Sequence, residues 1–132
     1  MLGGKFMKLL QDLKYSSDHE WVKVIDSETV YIGITDFAQD QLGEVLFVEM
    51  PEVGDEISIG EDFGVVESSK VASDLIAPIN GEVIELNDAL EDEPGSINED
   101  PYESWIIKVK VSDAGELEEL LSAADYEATL ED

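Results

Sequence analysis

The chain has 132 residues, 43% of them hydrophobic, which is enough for one domain with a single core that needs no metal or disulfide staples. It has no Cys and one His, which excludes disulfides, thiol catalysis and thiolate or multi-histidine metal sites. The formal net charge of -26 argues against nucleic acid and anionic membranes as partners. Such a surface repels its own copies, so we expect a monomer that docks on partners with basic patches.

Residues 1–14 differ in composition from the rest of the chain, because they carry three Lys against the single acid Asp12. The segment lacks the apolar core of a secretory signal and the arginines of an organellar transit peptide, and no stretch of the chain is apolar for the length of a membrane span. We interpret residues 1–14 as an N-terminal arm and residues 15–132 as one domain of a bacterial-type cytoplasmic protein. A helix within the arm is suggested by Phe6, Leu9, Leu10 and Leu13.

A β-hairpin is predicted at the start of the domain. Residues 19–24 alternate apolar and polar side chains, and residues 29–34 are rich in β-branched side chains and Tyr. Asp26-Ser27 lies between the two runs and is a turn signal. The two runs are therefore expected to pair.

A short helix and a buried strand are predicted next. Thr35 or Asp36 can cap a helix over residues 37–42, and Gly43 suits the position after a helix end. Residues 45–48 are apolar on both faces, which is typical of a buried strand.

A short pattern occurs twice. Residues 51–57 and 78–84 both read Pro-x-x-Gly-acidic-x-Ile. Each copy predicts a turn followed by a strand, and the repetition favours two similar units that face each other. Lys70 lies between the copies, at one end of the pseudo-symmetric β structure that they would form.

The C-terminal third begins with an acidic segment, residues 87–100, which contains Pro94-Gly95 and is interpreted as a surface excursion. Residues 105–111 then alternate clearly and predict a strand that closes the β part. A helical pair follows. Its first helix would be capped by Ser112 or Asp113 and carry Leu117, Leu120 and Leu121, and its second would start at Ser122 and carry Tyr126 and Leu130.

Lys70 is the most informative single residue. The strand-like residues 63–66 and 75–77 flank it, so it falls at the tip of a predicted hairpin. Most lysines at such tips only keep a loop soluble. Here the acidic residues already do so, and no other basic side chain occurs between Lys23 and Lys108, which favours a specific role for this amine.

Catalysis by the unmodified chain is not supported. No Ser lies in a nucleophile elbow, and no glycine loop could hold phosphate. Schiff-base chemistry needs a neutral lysine, whereas the acidic neighbours Glu67 and Asp74 favour the charged amine of Lys70. A carrier that is acylated at Lys70 fits better, because acylation removes the charge and turns the lysine stem into a tether.

Several short motifs, in order, extend over residues 15–132. They are His19-Glu20-Trp21-Val22, Gly33-Ile34-Thr35-Asp36, Leu42-Gly43-Glu44-Val45, Pro51-Glu52-Val53-Gly54, Gly64-Val65-Val66-Glu67-Ser68 followed by Lys70, Ala77-Pro78 with Gly81-Glu82-Val83, and Asn98-Glu99-Asp100-Pro101-Tyr102. Their order and spacing resemble the H-protein family of the glycine cleavage system.

The resemblance implies a mainly β fold, a barrel-sandwich hybrid similar to lipoyl and biotinyl carrier domains, with short helices that include a C-terminal helical pair. It implies lipoate in amide linkage on Lys70, and a role for Glu67 in recognition by lipoylating enzymes. Glu20 and Asp74, with Asp18 a weaker match, are the implied cleft that holds the loaded arm, since a cationic cargo needs carboxylates and protection from water.

The function implied by the resemblance is a non-enzymatic shuttle. It carries an aminomethyl group from the P-protein, glycine decarboxylase, to the T-protein, an aminomethyltransferase, and electrons to the L-protein, dihydrolipoyl dehydrogenase. A lipoate-attaching enzyme is the fourth partner. Two alternatives remain open, a relay that hands lipoate to 2-oxoacid dehydrogenase complexes and an unmodified acidic binding module.

Three departures from the family pattern affect recognition of the arm and not its attachment. Ser69 replaces a usual Val before the lysine, and Phe37 replaces a commoner His or Tyr, which removes a polar contact to the arm. One residue, commonly Gly, is missing between Tyr102 and Trp105.

Overall fold

The structure is a computed structural model that describes residues 9–130. Its strands are β1 (Lys14–Tyr15), β2 (Glu20–Val24), β3 (Thr29–Ile34), β4 (Val45–Glu49), β5 (Glu56–Ile57), β6 (Asp62–Ser68), β7 (Ala72–Ile76), β8 (Gly81–Leu86) and β9 (Ile107–Val111). Its helices are α1 (Asp36–Leu42), α2 (Ala89–Asp92), α3 (Ser96–Glu99), a 3₁₀ helix (Ala114–Glu119) and α4 (Ala123–Leu130). None of these described helices is long and apolar enough to cross a bilayer.

The strands form two antiparallel sheets. One has six strands in the order β1-β2-β3-β9-β8-β5, and the other has three in the order β4-β6-β7. The main core contains aliphatic side chains from both sheets and includes Val22, Ile32, Val66, Leu75 and Val109. Burying such side chains between two sheet faces is the main favourable term in folding a β domain of this size.

The opening hairpin is confirmed as β2 and β3, which bury side chains on both of their faces. Val22 faces the main core, whereas its neighbour Trp21 belongs to a second, aromatic cluster with Tyr15, Tyr102 and Tyr126. The indole N–H of Trp21 donates to the carbonyl of Pro101 at 3.1 Å. This second cluster fixes α4 against the six-stranded sheet.

The repeated pattern becomes a pair of strands. The first copy ends in β5 and the second starts β8, and the two strands pair antiparallel, with Ile57 opposite Gly81. The N–H of Gly54 also donates to the carbonyl of Val83 at 2.8 Å, and the N–H of Val83 to the carbonyl of Asp55 at 2.8 Å. The two copies therefore face each other, as expected.

The expectation that residues 45–48 form a strand buried on both faces is wrong for its middle two residues. β4 forms, but its register with β6 shifts between Val45 and Phe47. This irregularity leaves Leu46 and Phe47 54% and 50% exposed, respectively. The cause is a β-bulge in an edge strand, which inserts an extra residue and changes which side chains point inward.

The expectation that residues 87–100 are a surface excursion misses two buried anchors, although Leu90 and Ile97 are the only buried residues of this segment. The segment contains α2 and α3, and each anchors one side chain in the main core, Leu90 at 2% and Ile97 at 0% exposure. The many acidic residues around these two anchors remain on the solvent side, which is why the composition suggested a loop.

The C-terminal helical pair is confirmed in position, but its first member is a 3₁₀ helix. Asp113 caps that helix through a bond from the N–H of Gly115 to its carboxylate, 2.9 Å long. Leu121 lies outside the helix because its backbone forms a β-bridge with Tyr15, with both bonds at 2.8 Å. Leu117 and Leu120 pack against the main core.

The predicted helix of the N-terminal arm does not occur in its described part, residues 9–14. Leu10 is instead held in a turn by the hydroxyl of Tyr15, which bonds both its N–H and its carbonyl. Lys14 already belongs to β1 and pairs with Val22. Residues 1–8, which include Phe6, lie outside the described residues.

Gly33 provides a test of the packing of β2 on β3. It lies opposite Trp21, and a Cβ added at Gly33 would lie 2.5 Å from Cζ2 of the indole. We expect Gly33→Ala to lower the free energy of unfolding by about 2–3 kcal/mol, because a buried ring cannot move aside. Urea unfolding measures this loss.

Gly95→Ala is the matched control. Gly95 has an ordinary φ of -65°, and an added Cβ meets nothing within 4 Å. Its stability should stay within about 0.5 kcal/mol of the wild type. Equal stability of the two variants would contradict the packing described for Trp21.

Candidate functional site

Lys70 occupies the tip of the hairpin formed by β6 and β7, and its side chain is exposed. The N–H of Ser68 donates to the carbonyl of Val71 at 2.8 Å, which closes a turn with Ser69 and Lys70 at its centre. Neither central residue has a positive φ. The turn therefore does not need the Asn-Gly chemistry that tight hairpins usually use.

The hydroxyl of Ser68 stabilises this turn from the inside. It accepts the N–H groups of Lys70 and Val71, both at 3.1 Å, and lies 3.1 Å from the carbonyl of Val71, to which it donates. The N–H of Ser69 donates to the carbonyl of Glu44 at 3.0 Å, which ties the tip to the connection between α1 and β4. Lys70 thus projects from a base whose backbone is held on two sides.

A cavity of about 140 Å³ lies near the hairpin, bounded by residues of both sheets and of α1. Val66 and Asp74 line it, and they precede and follow Lys70 in the same hairpin. Its apolar lining comes from Ile34, Phe37, Leu42, Val66 and Leu75, and its charged or titratable lining from Asp18, His19, Glu20 and Asp74. The cavity can therefore shelter an apolar chain that ends in a polar or cationic group.

Glu20 is the buried acid of this cavity, with 2% exposure. Its Oε2 accepts the N–H of Ile76 at 2.7 Å, so the carboxylate of β2 bonds the backbone of β7 in the other sheet. Its Oε1 is also buried and has no hydrogen-bond partner within residues 9–130. A buried oxygen without a partner is costly, and it favours a bound donor or cation at this position.

Burial raises the pKa of Glu20 well above its ordinary value of 4.5. The bond from Ile76 opposes this rise, and the nearby charge of Asp18 adds to it. A positive charge brought next to Oε1 would act in the opposite direction and favour the carboxylate.

His19 forms part of the cavity wall in an uncommon backbone conformation, with φ 69°. Its Nδ1 lies 2.8 Å from the hydroxyl of Tyr126, and its ring lies 4.7 Å from that of Phe37. Burial lowers the pKa of His19 against the opposing charge of Asp18, which favours the neutral imidazole. The Tyr126 hydroxyl also lies 2.7 Å from Oγ1 of Thr35, the cap of α1. The C-terminal helix α4 therefore supports the wall.

Comparison with known proteins identifies the family. The family model described as Glycine cleavage H-protein matches residues 13–132. The chain belongs to the glycine cleavage H-protein family. Among its relatives, a glycine cleavage system H protein of Clostridioides difficile (strain 630) is 72% identical over 125 residues, which cover 95% of this chain and 100% of the relative.

Further relatives and a solved structure agree with this family. A glycine cleavage system H protein of Oceanobacillus iheyensis is 56% identical over 127 residues, which cover 96% of this chain and 100% of the relative. The crystal structure of a glycine cleavage system H protein from Mycobacterium marinum matches with a TM-score of 0.85 and 40% identity, over 92% of this chain and 98% of that one. The H-protein resemblance and the mainly β barrel-sandwich fold are thereby confirmed.

The structure brings the three carboxylates of the predicted cleft together. Glu20, Asp74 and Asp18 all line the cavity, although only Glu20 is buried and the other two are exposed. Lys70 is exposed at the hairpin tip, as expected. Glu67 does not line the cavity; it is exposed on β6, between Phe47 on β4 and Ala72 on β7. The roles of these five residues remain predictions.

The departures from the H-protein pattern have local structural counterparts. Phe37 gives the cavity an apolar wall that packs on His19. Ser69 is exposed, and its backbone makes the bond to Glu44. In the shortened connection before β9, Trp105 stacks on Tyr31 with ring centroids 4.5 Å apart.

Sequence reasoning missed two parts of the site. The sequence indicates His19 only as part of the motif His19-Glu20-Trp21-Val22, and nothing local shows that Tyr126, far along the chain, contacts it. Ser68 belongs to the motif that precedes Lys70, and a hydroxyl just before a turn can accept the next N–H groups and so indicates an ST-type turn. Only the second could have been found from the sequence.

The raised pKa of Glu20 gives a test of its burial. Glu20 binds its proton more tightly in the folded chain than in the unfolded chain, where its pKa is 4.5. The bound proton therefore stabilises the fold fully below this pH. The contribution is lost as the pH rises through the pKa of Glu20 in the folded chain. Gln stays neutral, so the stability of Glu20→Gln relative to the wild type, measured by urea unfolding, should increase as the pH rises above 4.5.

Glu61→Gln is the control for this series, because Glu61 is exposed. Its stability relative to the wild type should change little with pH. The burial of Glu20 would be contradicted by a Glu20→Gln difference that is as flat with pH as that of Glu61→Gln.

Proposed function

We infer that this member of the H-protein family is the lipoyl-bearing shuttle of the glycine cleavage system, a carrier and not a catalyst. It takes an aminomethyl group from glycine decarboxylase to the aminomethyltransferase, and electrons to dihydrolipoyl dehydrogenase. We propose Lys70 as the attachment site of lipoate. The observation that carries this proposal is an exposed amine at the tip of a hairpin whose turn is held by Ser68 and Glu44.

The residues around Lys70 fit a lipoyl arm. An acylating enzyme can reach the exposed amine, and the cavity beside the hairpin has an apolar lining and a buried oxygen, Oε1 of Glu20, that has no hydrogen-bond partner in the described part of the chain. The lipoyl group would supply a disulfide that is reduced as it takes up the aminomethyl group, and the dithiol that remains after that group is passed on would give its two electrons to dihydrolipoyl dehydrogenase. Both features of the cavity match the needs of this arm, an apolar chain with a cationic cargo.

In this proposal, residues that line the cavity protect the aminomethyl cargo from hydrolysis. The apolar wall with Phe37, Leu42 and Val66 excludes water, which would otherwise hydrolyse an aminomethyl group on sulfur. The carboxylate of Glu20, with Asp74 and Asp18 at the cavity, pairs with the positive charge of the cargo. These residues would hold a neutral arm through apolar contacts alone, so such an arm would exchange between the cavity and solvent, where its redox partner can reach it.

We propose that the partner enzymes are the P-protein, the T-protein, the L-protein and the lipoate-attaching enzyme. With 33 acidic and 7 basic residues, the chain favours partners that present a basic rim to it. The same net negative charge opposes self-association, so we propose that the carrier is a monomer. We also propose that it acts in the cytoplasm, where these partners would meet it.

Lys70→Arg tests the attachment site. The substitution keeps a positive charge at the exposed tip, but a guanidinium is not acylated by an enzyme that forms lysine amides. Incubated with lipoate, ATP and a lipoate-attaching enzyme, the wild type should gain the mass of one lipoyl group and Lys70→Arg should gain none, as read by intact mass spectrometry.

Lys23→Arg serves as the control, because Lys23 is an exposed lysine on β2, away from the hairpin. It should be lipoylated as fully as the wild type. A lipoyl mass on Lys70→Arg would place the attachment elsewhere and end the proposal.

Glu67→Gln tests recognition by the lipoylating enzyme. Gln keeps the shape of the exposed side chain and removes its charge, so one charge-assisted contact to a basic enzyme surface is weakened. We expect the initial rate of lipoylation at limiting carrier to fall about tenfold, with Lys70 unchanged. Glu61→Gln removes a charge at the opposite end of the hairpin and should react at the wild-type rate. Equal rates for both variants would remove Glu67 from the recognition site.

A further inference from the structure

Gly43 lies against the side chain of Lys70. A Cβ added at Gly43 would lie 3.0 Å from Cε, 3.7 Å from Nζ and 3.9 Å from Cδ of the lysine. Gly43 ends α1 with φ 81° and ψ -156°, a conformation that residues with a side chain rarely adopt. The missing side chain thus leaves a space, here called the seat, which the lysine stem occupies.

Asn98 of α3 holds the seat in place. Its Nδ2 donates to the carbonyl of Gly43 at 2.8 Å and to Oε1 of Gln39 at 3.0 Å, and its Oδ1 accepts the N–H of Val45 at 2.8 Å. The amide therefore bonds the backbone on both sides of Glu44. Because a half-buried side chain with three bonds is costly to displace, the backbone of the seat is fixed relative to the core.

The seat and the lysine turn are joined directly. Glu44, between the two residues that Asn98 bonds, accepts the N–H of Ser69 at 3.0 Å. The hairpin tip therefore meets the connection between α1 and β4 twice, once through the backbone of Ser69 and once through the stem of Lys70. These two contact points restrict the direction of the lysine side chain. Attachment at Cα alone would allow many rotamers.

We propose that Gly43, held by Asn98, is a positioning residue that directs the stem of Lys70, and the acyl group attached to it, along α1 towards the cavity. α1 supports this direction, since Gly43 follows its last residue and its Ala38, Gln41 and Leu42 line the cavity. The inference rests on the proposed carrier function, because only an acylated lysine has a group to direct. A pre-oriented arm enters the cavity with a smaller loss of conformational entropy.

Gly43→Ala is the decisive variant, and the chain offers matched controls for its backbone strain. Gly54 and Gly60 also have positive φ values, 99° and 85°, and a Cβ added at either meets nothing within 4 Å. Gly54→Ala and Gly60→Ala therefore introduce similar strain without touching the lysine.

Asn98→Ala is a second variant that leaves Gly43 intact. Its control is Asn87→Ala, because Asn87 makes a comparable bond, to the carbonyl of Trp105 at 2.7 Å.

The first measurement uses the unmodified protein and does not depend on lipoylation. Nuclear Overhauser contacts between the Cε protons of Lys70 and the Hα of residue 43 should be present in the wild type and in the three control variants. They should be lost in Gly43→Ala and weakened in Asn98→Ala. Absence of these contacts in the wild type would refute the seat even if Lys70 proved to be the lipoylation site.

The second measurement follows the far end of the arm. A lipoate-attaching enzyme transfers an octanoyl chain ending in a CF₃ group to Lys70, and the fluorine shift separates sheltered from solvent-exposed positions. We expect the ratio of sheltered to exposed signal to fall about threefold or more in Gly43→Ala and Asn98→Ala, and to stay at the wild-type value in the controls. If Gly43→Ala matches Gly54→Ala and Gly60→Ala, or if the wild-type signal is entirely solvent-exposed, the proposal is overturned.

Discussion

The bond between the Glu20 carboxylate and the N–H of Ile76 is the interaction on which the site depends. It joins β2 of the six-stranded sheet to the end of β7 in the three-stranded sheet, at 2.7 Å, where Glu20 is buried and Ile76 is half-buried. A buried carboxylate with one free oxygen is costly, and the surrounding strands and aromatic cluster must hold it. In return, the cavity contains a buried acceptor oxygen that favours a bound donor or cation.

This constraint also relates the cavity to Lys70. β7 starts just after the turn that contains Lys70, and Ile76 is its last residue, so one short strand connects the proposed attachment point to the bond with Glu20. The same hairpin supplies Val66 and Asp74 to the cavity. One hairpin thus carries the amine and supplies part of the wall of the pocket that would receive its cargo, which explains how a small domain can present an arm and also shelter its end.

The parts that sequence reasoning predicted are those determined by local chemistry. Thr35 caps α1 and Gly43 ends it because the side-chain oxygen and the absent Cβ act on neighbouring residues. Lys70 could be singled out because it is the only basic residue in a long acidic stretch, and the ordered motifs identified the family. The parts that it did not predict depend on distant partners. The bulge that exposes Phe47 is set by pairing with β6, and the positions of Leu90 and Ile97 by a core that the composition of their segment conceals.

The central claim is that a group attached to Lys70 carries the glycine-derived cargo between separate enzymes. Exchange of labelled bicarbonate into glycine by glycine decarboxylase tests it most directly, because that reaction needs a carrier that accepts the aminomethyl group and returns it. The account predicts exchange that rises with the concentration of the lipoylated protein and none with the same protein before lipoylation. Equal exchange with both forms, or none with the lipoylated form, would contradict it.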